Sequence, residues 1–113
     1  MNREPFKAWS AGQIRLLDGA TGSNLRTAGM PTGVCGEAWI CEHPEPLQAL
    51  QRSYVDAGSE IVCAPTFGAN RVLLGNYGLA HDVERLNRAL VAISRAAVGH
   101  DALVAADLTT TGQ

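Results

Sequence analysis

The residues best suited to chemistry begin with Asp18, which closes the stretch Leu16-Leu17-Asp18-Gly19-Ala20-Thr21-Gly22. An apolar run, Ile14 to Leu17 with Arg15 inside it, stops at a carboxylate, and Gly19 and Gly22 follow at once. This order reads as a strand ending in a tight turn, with the carboxylate at the strand's carboxyl end, where α/β folds bind ligands. Glycine there permits a sharp turn and a close approach of ligand to backbone. The plainer alternative is a β-to-α turn with a solvated Asp18. Glu37 and Trp39 lie inside a long loop, and Thr66 and Phe67 lie in the exit from an apolar run. The cysteines, Cys35, Cys41 and Cys63, lie six and twenty-two positions apart, a spacing that matches no common zinc pattern. Cys63 falls in an apolar run and reads as a small hydrophobe, while Cys35 and Cys41 read as free thiols in one loop. His43, His81 and His100 each flank a helix or turn, as cap or surface residues do.

The elements that must position these residues follow from periodicity. A first strand is expected over 13–18, and a brief helix over 21–28 that Gly29 ends. Residues 30–43 are punctuated by Pro31, Gly33 and Gly36 and read as a long loop, a length that often serves function. Pro44 suits a first helical turn and Glu45 suits its positive end. Leu47, Leu50, Tyr54 and Ala57 then share one helical face, and Gly58 stops the helix. Residues 60–64 are apolar without alternation, as in a strand covered on both faces. Residues 65–68 form its exit loop and 69–76 a short helix. Asp82 is the expected N-cap of a helix whose stripe is Val83, Leu86, Leu90, Ile93 and Ala97, ended by Gly99. A third strand is expected over 102–107, and residues 1–12 read as an N-terminal arm or one helical turn packing on the domain. The pattern is β-α-β-α-β, whose strands must run parallel with right-handed crossovers.

Composition narrows the class. Of 113 residues, 46% are hydrophobic and 18% charged, a globular balance. The net charge is −2 and no basic stripe exists, which argues against nucleic-acid or anionic-membrane partners. No apolar run approaches the ~20 residues that span a bilayer, and the first residues lack a secretory signal's apolar core. Three cysteines, an odd number, point to a reducing, cytoplasmic setting rather than a disulfide framework. A three-stranded parallel sheet with bare edges is a poor stable product. The expectation is therefore the front portion of a larger (β/α) barrel over 13–113, cut after its third strand. Such a sheet would be prone to self-association or to docking with a complementary chain.

Several stretches in register carry a family likeness. They are Leu17-Asp18-Gly19-Ala20-Thr21-Gly22-Ser23-Asn24-Leu25, Glu37-Ala38-Trp39, residues 54–62, Thr66-Phe67-Gly68-Ala69-Asn70, Tyr77-Gly78-Leu79 and Leu86-Asn87. Together they resemble the N-terminal part of the homocysteine S-methyltransferase family, which includes the homocysteine-binding module of cobalamin-dependent methionine synthase and betaine–homocysteine methyltransferase. The resemblance implies an α/β fold, a parallel β-α-β-α-β fragment of a TIM (β/α)8 barrel. It also implies methyl transfer to a small thiol, homocysteine, whose sulfur is activated as a thiolate on zinc. Cobalamin is implied as a methyl carrier in the complete protein. Carried over by motif, the implied substrate-binding residues are Asp18 and Gly19 at the first strand, Thr66 at the second, and Phe67, Asn70 and Glu37 from the loops. The family's zinc cysteines belong to later strands, so the resemblance implies no metal ligand and no catalytic residue among these positions. Two departures from the family pattern are Thr109-Thr110-Thr111-Gly112 at the third strand's exit and Ile40 after Glu37-Ala38-Trp39. A rival reading is a non-catalytic barrel piece that acts only by assembling with a complementary chain; another is a different barrel enzyme with the same strand-end architecture.

Overall fold

The computed structural model describes residues 1–113. Eight residues at the start form helix α1 (Arg3–Ser10), followed by α2 (Gly22–Thr27), α3 (Gly36–Glu42), α4 (Pro44–Asp56), strand β1 (Ile61–Cys63), α5 (Arg71–Gly75), α6 (Val83–Val98) and strand β2 (Leu103–Ala105). The two strands pair in parallel, with Ile61 opposite Leu103, Val62 opposite Val104 and Cys63 opposite Ala105. Parallel neighbours need a long crossover, and α6 supplies it.

The expected first strand is present only as a single parallel bridge, Leu17 to Ile61. Backbone bonds frame it: Leu16 O accepts from Glu60 N and Ile61 N, and Asp18 N donates to Ile61 O at 3.0 Å. This stretch has a neighbour along one edge only, and Ile14, Leu16 and Leu17 remain exposed. Arg15 leaves the sheet altogether. Its guanidinium stacks on Trp9 at 4.1 Å, donates to Trp9 O at 3.0 Å and pairs with Glu60 at 2.7 Å. That network ties α1 to the start of β1. The resulting order, the Leu17 bridge then β1 then β2, places three chain segments side by side in sequence order.

Helices α4 and α6 pack on each other and on one face of the strands. Val62, Val98 and Ala102 form the buried contact there, with Val55, Ala97 and Val104 around it. A second cluster joins Leu25, Ile40, Leu47, Ala69 and Leu90, and a third joins Cys35, Leu74 and Leu86. On α6 the fully buried line is Leu86, Leu90, Ser94 and Val98, an i, i+4 ridge; the expected Val83, Ile93 and Ala97 flank it and are half-buried. On α4 the buried pair is Leu47 and Gln51, not the full expected face. Gln51 turns inward because its Nε2 donates to Cys63 O at 3.1 Å, tying helix to strand.

Two further expectations are corrected. Residues 30–43 are not a continuous loop, since α3 occupies Gly36–Glu42. The helix forms because Ile40 is buried in the core and Glu37 sits in the first turn, where a carboxylate suits the helix dipole. Cys35 and Cys41 therefore do not share a loop: Cys35 is the N-cap and Cys41 lies within the helix. Asp82 stands at the N-cap of α6 but makes no side-chain capping bond. Its carboxylate is taken instead by Arg85, at 3.0 and 3.2 Å, which lowers its pKa. No helix is long and apolar enough to cross a membrane.

Candidate functional site

Alternation along a strand sends successive side chains to opposite faces. Val62 points to the helices, so Cys63 points the other way, into the space beyond the strands' carboxyl ends. There it meets the end of the first segment, where Asp18 Oδ2 accepts from Cys63 N at 3.1 Å. Cys63 is thus half-buried at a cavity rather than a core residue, which corrects its reading as a small hydrophobe. Just beyond β2, Asp107 reaches the same place. Thr66, on the exit from β1, joins the two strand ends: its Oγ1 donates to Asp107 O and accepts from Asp107 N, each at 2.9 Å.

These ends border a cavity of about 320 Å³. Leu25, Met30, Ile40 and Phe67 supply apolar walls, and Glu37, Cys63 and Asp107 supply polar ones. No lysine or arginine lines it. Burial raises the Asp18 pKa above the ordinary carboxylate value; the Cys63 N–H bond opposes the rise and the negative charge of Asp107 adds to it. Burial also pushes up the Cys63 thiol, with Asp18 and Asp107 next in effect. Cys35 and Cys41 are likewise raised, first by burial, so all three thiols are held in the protonated form. The mouth is negative, with no protein cation to balance it.

The six implied binding residues fall in different surroundings. Asp18 is half-buried beside Cys63 and stands outside the cavity lining. Gly19 is a packing position: a Cβ there would lie 2.9 Å from the Tyr54 hydroxyl, which donates to Ala20 O at 2.8 Å and so fixes the turn. Thr66 is buried, with its hydroxyl occupied by Asp107. Phe67 is exposed above the cavity. Glu37 lines the cavity but is already engaged, Oε1 accepting from Gly68 N at 3.1 Å and Oε2 from Cys35 Sγ at 3.5 Å. Asn70 caps α5, its Oδ1 accepting from Leu73 N at 2.9 Å, and it does not line the cavity. Its Nδ2 is buried without a partner. Asp107 and Met30 were not singled out as site residues, although Asp107 repeats the signal of Asp18, an apolar run that stops at a carboxylate.

A metal is another matter. No group of three or more His, Cys, Asp or Glu side chains is arranged to hold an ion. Cys35 is bonded to Glu37 at the start of α3, and Cys63 lies at the end of β1. The residues present do not fit a zinc centre.

Parallel strands joined by a crossover, with a polar mouth at their carboxyl ends, define a small α/β domain. The sequence model of the family described as Homocysteine S-methyltransferase matches residues 15–113, and the chain belongs to that family. Among curated proteins it is similar to methionine synthase of Mycobacterium tuberculosis, 33% identical over 89 residues and 74% of this chain. It is also similar to methionine synthase of Mycobacterium leprae, 31% identical over 91 residues and 75% of this chain. In both cases it spans 8% of the relative's length. Among solved structures it resembles the homocysteine methyltransferase MmuM from Escherichia coli in its metallated form, with a TM-score of 0.79 and 23% identity. That likeness covers 96% of this chain and 42% of the other, and it concerns the fold.

Proposed function

We propose that this chain forms the homocysteine-recognition sector of an S-methyltransferase, its three parallel segments being the opening strands of a (β/α)8 barrel. The observation that carries this reading is a mouth lined by Cys63 and Asp107, with Asp18 bonded to Cys63 N at its edge, in a chain whose family match runs over residues 15–113. Asp18 is suited to hold the ammonium of an amino acid, because a carboxylate-to-ammonium contact is a charge-assisted bond. Phe67 and the apolar wall suit an aliphatic, sulfur-bearing side chain. The zinc that activates the thiol would be held by residues outside this set, and the cobalamin that carries a methyl group likewise. The share of the relatives that this chain spans supports that division. Its three free cysteines are in keeping with a reducing cytoplasm.

The test is calorimetric titration of the 113-residue chain with L-homocysteine. Saturable binding is expected, weakened about tenfold or more by Asp18→Ala, since a hydrogen bond to a charged group contributes about 1.5–3 kcal/mol. Absence of binding, or binding that ignores Asp18→Ala, would sink the proposal.

A second reading, assembly with a complementary chain, is favoured by a separate observation. Ile14, Leu16, Leu17 and Leu108 are all exposed beside the sheet, Ile14 and Leu108 at 91%. Further barrel strands would cover such side chains. Sedimentation velocity of the chain alone, and with a polypeptide carrying the later barrel strands, separates the cases. A monomer indifferent to that polypeptide counts against assembly.

A further inference from the structure

We propose that Asp107 is a second ligand-binding carboxylate of this mouth and that Thr66 acts as its positioning residue rather than as a contact of its own. The inference rests on the reading that the cavity receives a small amino acid. Thr66 is 4% exposed, and its hydroxyl is committed to one residue: the O–H donates to Asp107 O and one lone pair accepts from Asp107 N. An ammonium needs an acceptor, and Thr66, buried and outside the cavity lining, presents its hydroxyl to Asp107 and not to a ligand. Bonding both backbone groups of one residue fixes its peptide planes, and with them the direction of its Cα–Cβ bond. What this clamp aims is the Asp107 side chain, which borders the cavity with no hydrogen-bond or ion-pair partner in the protein.

The surroundings define what Asp107 meets. Asp18 stands just outside the lining, across the Cys63 peptide with its Oδ2 on Cys63 N, and is close enough for the charge of Asp107 to act on it. Two carboxylates near each other repel, and neither has an arginine or lysine beside it. A primary ammonium at Asp107 would gain a charge-assisted bond from it and relieve its repulsion with Asp18. The apolar walls at Leu25, Met30 and Phe67 then fit the ligand's aliphatic and sulfur portion. The ligand class is an aliphatic thiol that bears a primary ammonium, and the ammonium is the group selected.

The test uses the 113-residue chain and three probes: L-homocysteine, 3-mercaptopropylamine, which keeps the ammonium, and 4-mercaptobutanoate, which lacks it. Binding is read from backbone amide shifts. The amine should shift the Cys63 and Asp107 amides, and 4-mercaptobutanoate should not. Asp107→Asn should weaken the amine about tenfold. Thr66→Val should weaken it in the same direction, and Thr66→Ser, which keeps the hydroxyl, should restore it. The decisive readout is the double variant: Thr66→Val added to Asp107→Asn should change affinity no further, because Thr66 acts only through Asp107. If Thr66→Val does not fold, Thr66→Ser and Asp107→Asn still decide.

The outcomes separate the two claims. L-homocysteine binding untouched by Asp107→Asn overturns this inference and leaves the proposed function standing. Amine binding lost in Asp107→Asn, with no binding of L-homocysteine, supports the inference and overturns the proposed function. Equal binding of amine and acid, or no binding of any probe, overturns the inference.

Discussion

Gly68→Ala isolates the contact that holds the loop beneath Phe67. A Cβ at Gly68 would lie 2.5 Å from Glu37 Oε1 and 3.2 Å from its carboxyl carbon. The carboxylate ends a flexible side chain, so it would swing aside rather than block folding. In doing so it would give up the bond from Gly68 N, now 3.1 Å, and the weaker one from Cys35 Sγ at 3.5 Å. Loss of a hydrogen bond to a charged group costs about 1.5–3 kcal/mol. Replacing glycine by alanine stiffens the unfolded chain and returns about 0.4–1 kcal/mol. The net loss is about 1–2 kcal/mol, or a fall in Tm of roughly 4–8 °C for a domain of this size. Urea denaturation of the four proteins in a Gly68→Ala, Glu37→Ala cycle measures it. With Glu37 already truncated, Gly68→Ala should be neutral or slightly stabilising, so the cycle should show a coupling of about 1.5–3 kcal/mol. Equal costs in both backgrounds would refute the reasoning.

Asp18 gives a pH prediction. Its folded pKa lies above the ordinary 3.8, chiefly through burial. The folded state therefore binds the proton more tightly than the unfolded one. That advantage is present below the unfolded value and is lost as pH rises through the higher folded value. Asp18→Asn, whose amide oxygen can still accept from Cys63 N, should remove this fall and be at least as stable as the parent at pH 7; urea midpoints at pH 3.5 and 7 check it, and a less stable variant at pH 7 contradicts it. Because burial raises all three thiols, alkylation by iodoacetamide at pH 7.5 should be slower than for a free cysteine at each position; peptide mapping that finds one fast thiol would be the contrary result. Tyr54→Phe removes the bond to Ala20 O and should cost about 1 kcal/mol in the same urea assay, with amide shifts concentrated at Gly19 and Ala20; an unchanged midpoint would show that the turn is fixed by other means.

The long helices were readable because their apolar spacing and glycine stops agree with how they pack. Leu47, Leu86 and Leu90 are buried as the periodicity requires, and Gly99, with φ of 56°, ends α6 where a side chain would be strained. Parallel pairing of 61–63 with 103–105 follows from the same logic of crossovers. The first strand is shorter than its apolar run suggests, because such a run does not reveal how many neighbours it has, and this one has a single edge. Helix α3 is hidden in the sequence by Pro31, Gly33 and Gly36, and its seven residues owe their order to burying Ile40, a tertiary effect that local propensity does not carry. Gln51 is inside because it bonds Cys63 O, which no apolar pattern signals. At the mouth, Asp18 announces itself by the glycines after it. Asp107 and Cys63 join it only through the register of strands, and Thr66 turns toward Asp107 for the same reason.

The central claim is that one mouth, formed by the ends of three parallel segments, receives the ammonium of a small thiol amino acid. Crystals of the chain grown with L-homocysteine test it most directly. The predicted result is ligand density in the cavity beside Phe67 with its nitrogen in hydrogen-bond contact with the Asp18 and Asp107 carboxylates. Density elsewhere on the molecule, or a ligand in this cavity with its nitrogen turned away from both, would contradict it.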